Sequence, residues 1–170
     1  MKLLNLIPFI IFFICCSASD SSSSSTQDES IPVQEDVFFV LQTIDGIQIQ
    51  REVLLHLPEN FNSTESYPVV IAFHGNGGQN NNWFSKLSQF VDAGEFVGVY
   101  PQGYLNSWNL GSEASSADEI YFFNQIMLKL DTYSFFDASK VYGIGNSNGS
   151  ALINKLKHLI SALLPLLQVN

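Results

Sequence analysis

The sequence predicts an α/β fold, an N-terminal β-hairpin followed by a mostly parallel sheet flanked by helices. Three observations predict it. Two β-rich runs, Val37 to Thr43 and Ile47 to Leu57, flank Asp45-Gly46, the dipeptide a type I′ turn favours because its central residues take positive φ. Three short runs then follow, Val69 to Phe73, Phe96 to Tyr100 and Lys140 to Ile144, each suited to a strand buried on both faces of a parallel sheet. Amphipathic helical patterns separate and follow these runs, and strand–helix alternation in this order is what parallel crossovers require.

The elements can be justified in turn. Pro58 ends the hairpin, and Glu59 to Ser66 is a polar loop. Within it Asn62-Ser63-Thr64 has the form of an N-glycosylation sequon, which the bacterial look of the export signal described below leaves idle. The Gly- and Asn-rich loop Gly75 to Asn82 follows the first buried run, after which Trp83, Leu87, Phe90 and Val91 recur at helical spacing. Pro101 stops the second buried run. Asp118 to Tyr133 reads as an amphipathic helix through Ile120, Phe123, Met127 and Leu130. Beyond the third run, Leu152, Leu156, Leu159 and Leu163 make one face of a last helix that Pro165 is expected to stop.

Length and composition bound the function. A chain of 170 residues holds one domain at most. Sixteen Asp plus Glu against seven Lys plus Arg give a net charge of −9, which argues against a nucleic-acid partner, because phosphate neutralisation needs clustered cations. With 46% hydrophobic and only 14% charged residues, the chain can bury a core. Lys2 and the apolar stretch Leu3 to Ile14 are too short to span a bilayer but suit a secretory signal peptide. Two processing routes stand side by side. Cleavage after Ala18 would release a secreted protein, whereas Phe13-Ile14-Cys15-Cys16 resembles a relaxed lipobox that would lipidate Cys16 and anchor the chain to a membrane surface. The sequence thus divides into a signal segment (1–16), a linker (17–36) with eight Ser, five acids and no Lys or Arg, and a folded part (37–170). Both cysteines lie in the signal segment, so neither a disulfide framework nor a Cys-based zinc site is expected in the folded part, and no metal is.

The chemistry is concentrated at the last strand-to-helix junction. Gly145-Asn146-Ser147-Asn148-Gly149 fits Gly-x-Ser-x-Gly, with a strand leading in and an amphipathic helix leading out, the setting a nucleophile elbow requires. Gly145 and Gly149 matter because side chains there would collide with the neighbouring strand or helix. The competing reading makes Ser147 an N-cap, with its Oγ bonded to the helix's free N–H groups instead of facing solvent. A second constellation, Phe73-His74-Gly75-Asn76-Gly77-Gly78, closes the first buried parallel strand and resembles the loop with which α/β-hydrolases form half of an oxyanion hole. Acyl transfer needs two backbone N–H donors aimed at the developing alkoxide. Asn148 supplies one and Asn76 the other, with Gly75 and Gly77 letting the backbone approach a substrate. His74 is expected to shape that loop and not to act as base.

In the order His74-Gly75-x-Gly77-Gly78, Tyr100-Pro101-x-Gly103, Trp108-Asn109-x-Gly111, Asp118-Glu119, Val141-Tyr142-x-x-Gly145 and Ser147-Asn148-Gly149, the chain resembles the secreted polyhydroxybutyrate depolymerase and feruloyl esterase-like branch of the α/β-hydrolases, over roughly Ile47 to Leu156. The resemblance implies a serine carboxylic-ester hydrolase without cofactor, acting on an ester-bearing polymer or small ester. It departs from the pattern at Ser150, which could crowd the helix start, and at Glu119. The Asp118-Glu119 pair reads as helix N-terminal acids complementing the macrodipole in preference to a carboxylate dyad.

A serine esterase also needs a base and an orienting acid, and on this fold both follow the nucleophile in chain order. After Ser147 there is no Asp or Glu, and one histidine, His158. Eleven residues down a helix, at about 1.5 Å each, puts it roughly 16 Å away, too far for a hydrogen bond. His56, on the early hairpin, reads as an ordinary strand residue. The expectation is therefore an incomplete α/β-hydrolase fold, an N-terminal part whose acid, histidine and outer strands are missing. Leu163 to Val169 could supply at most part of one further strand. The run Lys140 to Ile144 would then be left as an exposed apolar edge. The alternatives are a non-catalytic surface module binding sugars or polymers through Trp108 and Tyr104, or a nonfunctional truncated product. Nothing in the sequence sets the oligomeric state.

Overall fold

The computed structural model describes residues 37–167, with side chains described for 37–157. The signal segment with Cys16, and the linker, lie outside the described residues. The elements are β1 (Val37–Ile44), β2 (Ile47–His56), β3 (Tyr67–Phe73), α1 (Asn81–Asp92), β4 (Val97–Pro101), a 3-10 turn (Tyr104–Asn106), α2 (Glu119–Leu130), β5 (Phe136–Gly145) and α3 (Asn148–Leu167). The five strands form one sheet in the order β1-β2-β4-β3-β5. β1 and β2 are antiparallel, as are β2 and β4, whereas β3 runs parallel to both β4 and β5.

The hairpin forms as its turn dictates. Asp45 and Gly46 take φ of 50° and 81°, and Ile44 pairs with Ile47. Strand alternation turns Phe38, Val40, Gln42 and Ile44 inward from β1, and Arg51, Val53 and Leu55 inward from β2. β4 is buried throughout, and Val69, Ile71, Ala72 and Phe73 of β3 are buried with it. These strands share one core with Phe122, Ile126 and Leu130 of α2 and with Leu152 and Leu156 of α3.

Four local expectations need correction. In α2 the buried stripe is Glu119, Phe122, Ile126 and Leu130, while Ile120, Phe123 and Met127 are only partly buried. The buried stripe thus includes Glu119, which pairs with the buried Arg51. β5 is not buried on both faces. It pairs only with β3 among the described residues, and no residue along it is fully buried, Tyr142 being 56% exposed. A strand buried on both faces needs a second neighbour and cover that these residues do not provide. α3 runs on to Leu167, past Pro165. A proline forfeits its own N–H bond without obliging a helix to stop. Leu163 to Leu167 are accordingly helical and not strand, and the rest of that run, with the side chains of Leu159 and Leu163, falls outside what is described.

No helix of the described residues is long and apolar enough to cross a membrane.

Candidate active site

β3 and β5 are neighbours in register, with Phe73 opposite Gly145. The two segments singled out by sequence therefore leave adjacent parallel strands at the same level, His74 to Gly78 from one and Asn146 to Gly149 from the other. Asn146 N–H donates to the Phe73 carbonyl at 3.4 Å and ties them together.

Ser147 sits at the apex of the second segment with φ of 50°, a left-handed conformation that a non-glycine residue adopts only when its surroundings impose it. The surroundings are tight. A Cβ on Gly145 would lie 2.8 Å from the Gly149 carbonyl carbon, and one on Gly149 would lie 2.3 Å from the Phe73 oxygen and 2.6 Å from the His74 oxygen. Helix α3 thus begins pressed against the end of β3, and the strand-to-helix reversal leaves Ser147 exposed. Among the described residues no hydrogen bond engages its Oγ, and the helix start is served otherwise: Gly149 N–H donates to Asn146 O at 3.0 Å and Ser150 Oγ to Gly145 O at 2.7 Å. Ser150 therefore does not crowd the turn but ties it. The N-cap geometry expected of a merely structural serine is not adopted.

The partner loop is held from below. His74 is buried, its Nδ1–H donating to Gly75 O at 2.8 Å while its Nε2 accepts the Gly103 N–H at 3.0 Å. These partners fix one neutral tautomer, and burial, with Arg51 adding to it, holds the imidazole below its usual pKa. Both nitrogens are thus occupied and His74 shapes the loop. Gln102 Nε2–H reaches His74 Nε2 at 3.2 Å and Asn106 Oδ1 at 3.1 Å, and Gly77 N–H donates to Asn106 O at 2.7 Å. Gly75 lies against Asn146, whose Nδ2 would be 3.3 Å from a Cβ placed there, and Gly77 takes φ of 74°. Asn76 is exposed, and among the described residues neither its backbone N–H nor that of Asn148 is bonded to the protein. A cavity of about 330 Å³ is lined by His74, Gly75, Asn76, Trp83, Lys86 and Asn146. It opens beside Ser147's neighbour, not over Ser147 itself.

Sequence reasoning missed how Asn148 is oriented. Its side chain clasps the Trp108 backbone in both directions, Oδ1 accepting the Trp108 N–H at 2.7 Å and Nδ2 donating to the Trp108 carbonyl at 3.0 Å. Trp108 is fully buried, and its indole N–H donates to His74 O at 2.7 Å. It is therefore a strut between the two segments and not a polymer-facing platform, which corrects the expectation placed on it. The next residue, Asn109, donates its N–H to Glu119 Oε1 at 3.0 Å.

Glu119 is itself a correction. Asp118 is the N-cap, accepting from Ile120 N–H and Tyr121 N–H at 3.0 Å each, but Glu119 does not decorate the helix start. It is buried in an ion pair with Arg51 at 2.9 Å, side chains 1% and 0% exposed, and Arg51 lies 3.6 Å over the Phe122 ring. Burial pushes the Glu119 carboxyl above the usual range, against the pull of Arg51. Arg51 also donates to Gln42 Oε1 at 3.1 Å, and Gln42 Nε2–H to Asp118 O at 2.7 Å. A signal for this was available. The chain's one arginine stands in the inward phase of a strand with Val53 and Leu55, and a buried cation needs a buried anion.

The other histidines lie elsewhere. His56 is opposite Gly98, below the strand ends, bonded to Asp92 Oδ1 at 2.9 Å and stacked on Phe84. His158 belongs to α3, so the residues between it and Ser147 are helical, and its side chain lies outside the described ones. Among the described residues no three His, Cys, Asp or Glu side chains are grouped to hold a metal ion.

No protein-family model matches the chain. It is 26% identical over 114 residues to feruloyl esterase B of Thermothelomyces thermophilus, a match covering 62% of this chain and 38% of that protein. It is 26% identical over 125 residues to feruloyl esterase B of Piromyces equi, covering 68% of this chain and 23% of the relative. The matched segment thus spans well under half the length of these relatives. Among solved structures, a substrate-bound fluorophosphonate-binding serine hydrolase of Staphylococcus aureus superposes with a TM-score of 0.50 at 12% identity, over 66% of this chain and 48% of that one. With the strand order and the β3–β5 register, that likeness, over 66% of the chain, shows a partial α/β-hydrolase fold.

Proposed function

We propose that the chain is the nucleophile-bearing part of an exported serine carboxylic-ester hydrolase. Ser147 Oγ attacks the ester carbonyl while the Asn148 and Asn76 N–H groups receive the oxyanion; collapse breaks the ester C–O bond to leave an acyl-enzyme, and the Oγ proton passes to the departing alcohol through a base contributed by further chain. A single observation carries this: a strained, exposed serine with an unengaged hydroxyl stands level with two unengaged backbone amides from a neighbouring strand's loop and its own helix. Enzymes that stabilise tetrahedral intermediates aim such donors at the developing charge. The feruloyl esterase relatives support an ester substrate, and their greater length supports an acid and a histidine contributed by further chain. The departures at Ser150 and Glu119 do not count against it, since each is accommodated by a specific bond or ion pair. Feruloylated or acetylated polysaccharides, hydroxyalkanoate oligomers and aryl esters are the substrate classes to compare.

The test is mass spectrometry of the 170-residue chain after exposure to an aryl acetate. The expected result is slow, stoichiometric acetylation of the Ser147 peptide, since no described residue brings a base to its Oγ, without sustained turnover and absent from Ser147→Ala. No acylation of Ser147 would overturn the reading. Reading the coding DNA past codon 170 in all frames should reveal an Asp and a His in family-like context. Export by cleavage after Ala18 or by lipidation of Cys16 is decided by fatty-acid labelling of the chain and of Cys16→Ala.

A further inference from the structure

We propose that Asn62 carries an N-linked glycan, added as the chain enters a secretory lumen. The proposal rests on the export reading above and otherwise stands on a different end of the molecule. Asn62-Ser63-Thr64 lies in the exposed loop before β3, and residues 62–66 are all exposed. The side chains are already arranged as an acceptor. Asn62 Oδ1 accepts from Thr64 Oγ1 at 2.8 Å and from Thr64 N–H at 3.1 Å. The hydroxyl two residues on thereby fixes the carboxamide and leaves Nδ2 outward, where its one hydrogen bond among the described residues is an exposed one to Glu65 Oε1 at 3.0 Å. The turn is local in sequence, so it needs no distant contact in order to form.

The chain holds a second sequence of the same form, and the contrast is informative. In Asn148-Gly149-Ser150 the Ser150 hydroxyl is turned away to Gly145 O at 2.7 Å, and Asn148 Nδ2 is engaged by the Trp108 carbonyl at 3.0 Å. A glycan on Asn148 would break the clasp described above, whereas one on Asn62 displaces nothing buried. The Asn62 loop stands at the start of β3, where Tyr67 pairs with Phe136, at the end of the sheet away from Phe73 and Gly145. A bulky polar group there leaves the candidate site open. The feruloyl esterase B relatives that match come from Thermothelomyces thermophilus, Neurospora crassa and Piromyces equi, eukaryotes whose exported chains meet an N-glycosylating transferase, and export in such a host is the setting in which the sequon would be used.

The step balances. The Asn62 Nδ2 lone pair attacks the anomeric carbon of an oligosaccharide carried on a lipid diphosphate. The C–N bond forms, the C–O bond to phosphate breaks with its electron pair leaving on the diphosphate, and one Nδ2 proton passes to a base of the transferase.

The experiment is translation of the full chain with glycosylating microsomes, scored by protease protection, glycosidase-sensitive gel mobility and peptide mapping. The expected result is a protected chain whose mobility shift is lost in Asn62→Gln and Thr64→Ala and retained in Thr64→Ser, with Asn62 converted to aspartate on deglycosylation. A protected chain with Asn62 unmodified overturns this proposal alone. A chain that stays protease-accessible overturns the export reading and this proposal with it.

Discussion

The two edges of β3 meet very different surroundings. On the β4 side, the strand ends feed a laced set of loops in which His74, Gln102, Trp108 and Asn148 hold one another's side chains and backbone, backed by the Arg51–Glu119 pair, although Tyr100 OH and Ser107 Oγ are buried there without a hydrogen-bond partner among the described residues. On the β5 side, one strand stands with its outer edge unpaired among the described residues and Tyr142 half out in solvent. Yet the candidate nucleophile emerges from this bare strand. The difference teaches that the Ser147 turn takes its geometry from inside, through Gly149 against β3 and Asn148 against Trp108, and not from neighbours beyond β5.

Substitutions should therefore hurt in proportion to how deeply they cut into the laced side. Glu119→Ala leaves Arg51 buried without its partner and removes the acceptor for Asn109 N–H, so a stability loss of about 3–5 kcal/mol is expected in denaturant titration. A Glu119→Gln loss equal to or above that of Ala would break the comparison. Gly149→Ala drives a Cβ into two carbonyls of the β3 end and should cost about 1–3 kcal/mol. It should also abolish Ser147 acylation even where the variant remains folded. Next comes acidification. The His74 pKa is lowered in the fold, so the unfolded chain binds the proton first. Stability contributed by His74 is complete above its unfolded pKa of about 6.5 and falls as pH drops below that towards the folded value. His74→Asn should flatten that slope in thermal melts taken between pH 7 and 5. The smallest effect belongs to the bare edge. Tyr142→Lys should change stability by less than about 0.5 kcal/mol while reducing aggregation in light scattering. A large loss there would mean that β5 is packed more firmly than its exposure indicates.

Much of the fold was legible because its signals are local. Asp45-Gly46 fixes the hairpin, and the short apolar runs fix β3 and β4. The serine turn was legible for the same reason, since two glycines around Ser147 leave a pattern in five residues. What stayed hidden depends on partners far apart in sequence. Arg51 and Glu119 stand far apart in sequence, and their pairing puts Glu119 on the same buried face of α2 as Phe122 and Ile126, in place of the face of Phe123 and Met127. The run Lys140 to Ile144 was legible in part: its composition looks buried on both faces, which it is not, whereas the exposed edge expected of it is what the sheet order gives among the described residues. Trp108 looked like a binding aromatic for want of any local sign that its indole N–H reaches His74 O.

The central claim concerns the direction in which one hydroxyl and two amides face. It is tested most directly by the crystal structure of the chain treated with an ester-mimicking phosphonate. The predicted result is a phosphonyl group on Ser147 Oγ whose oxygen lies about 2.7–3.1 Å from both the Asn76 and Asn148 amide nitrogens. An unmodified Ser147 turned into the amides of α3, or an adduct whose oxygen points away from both donors, would contradict it.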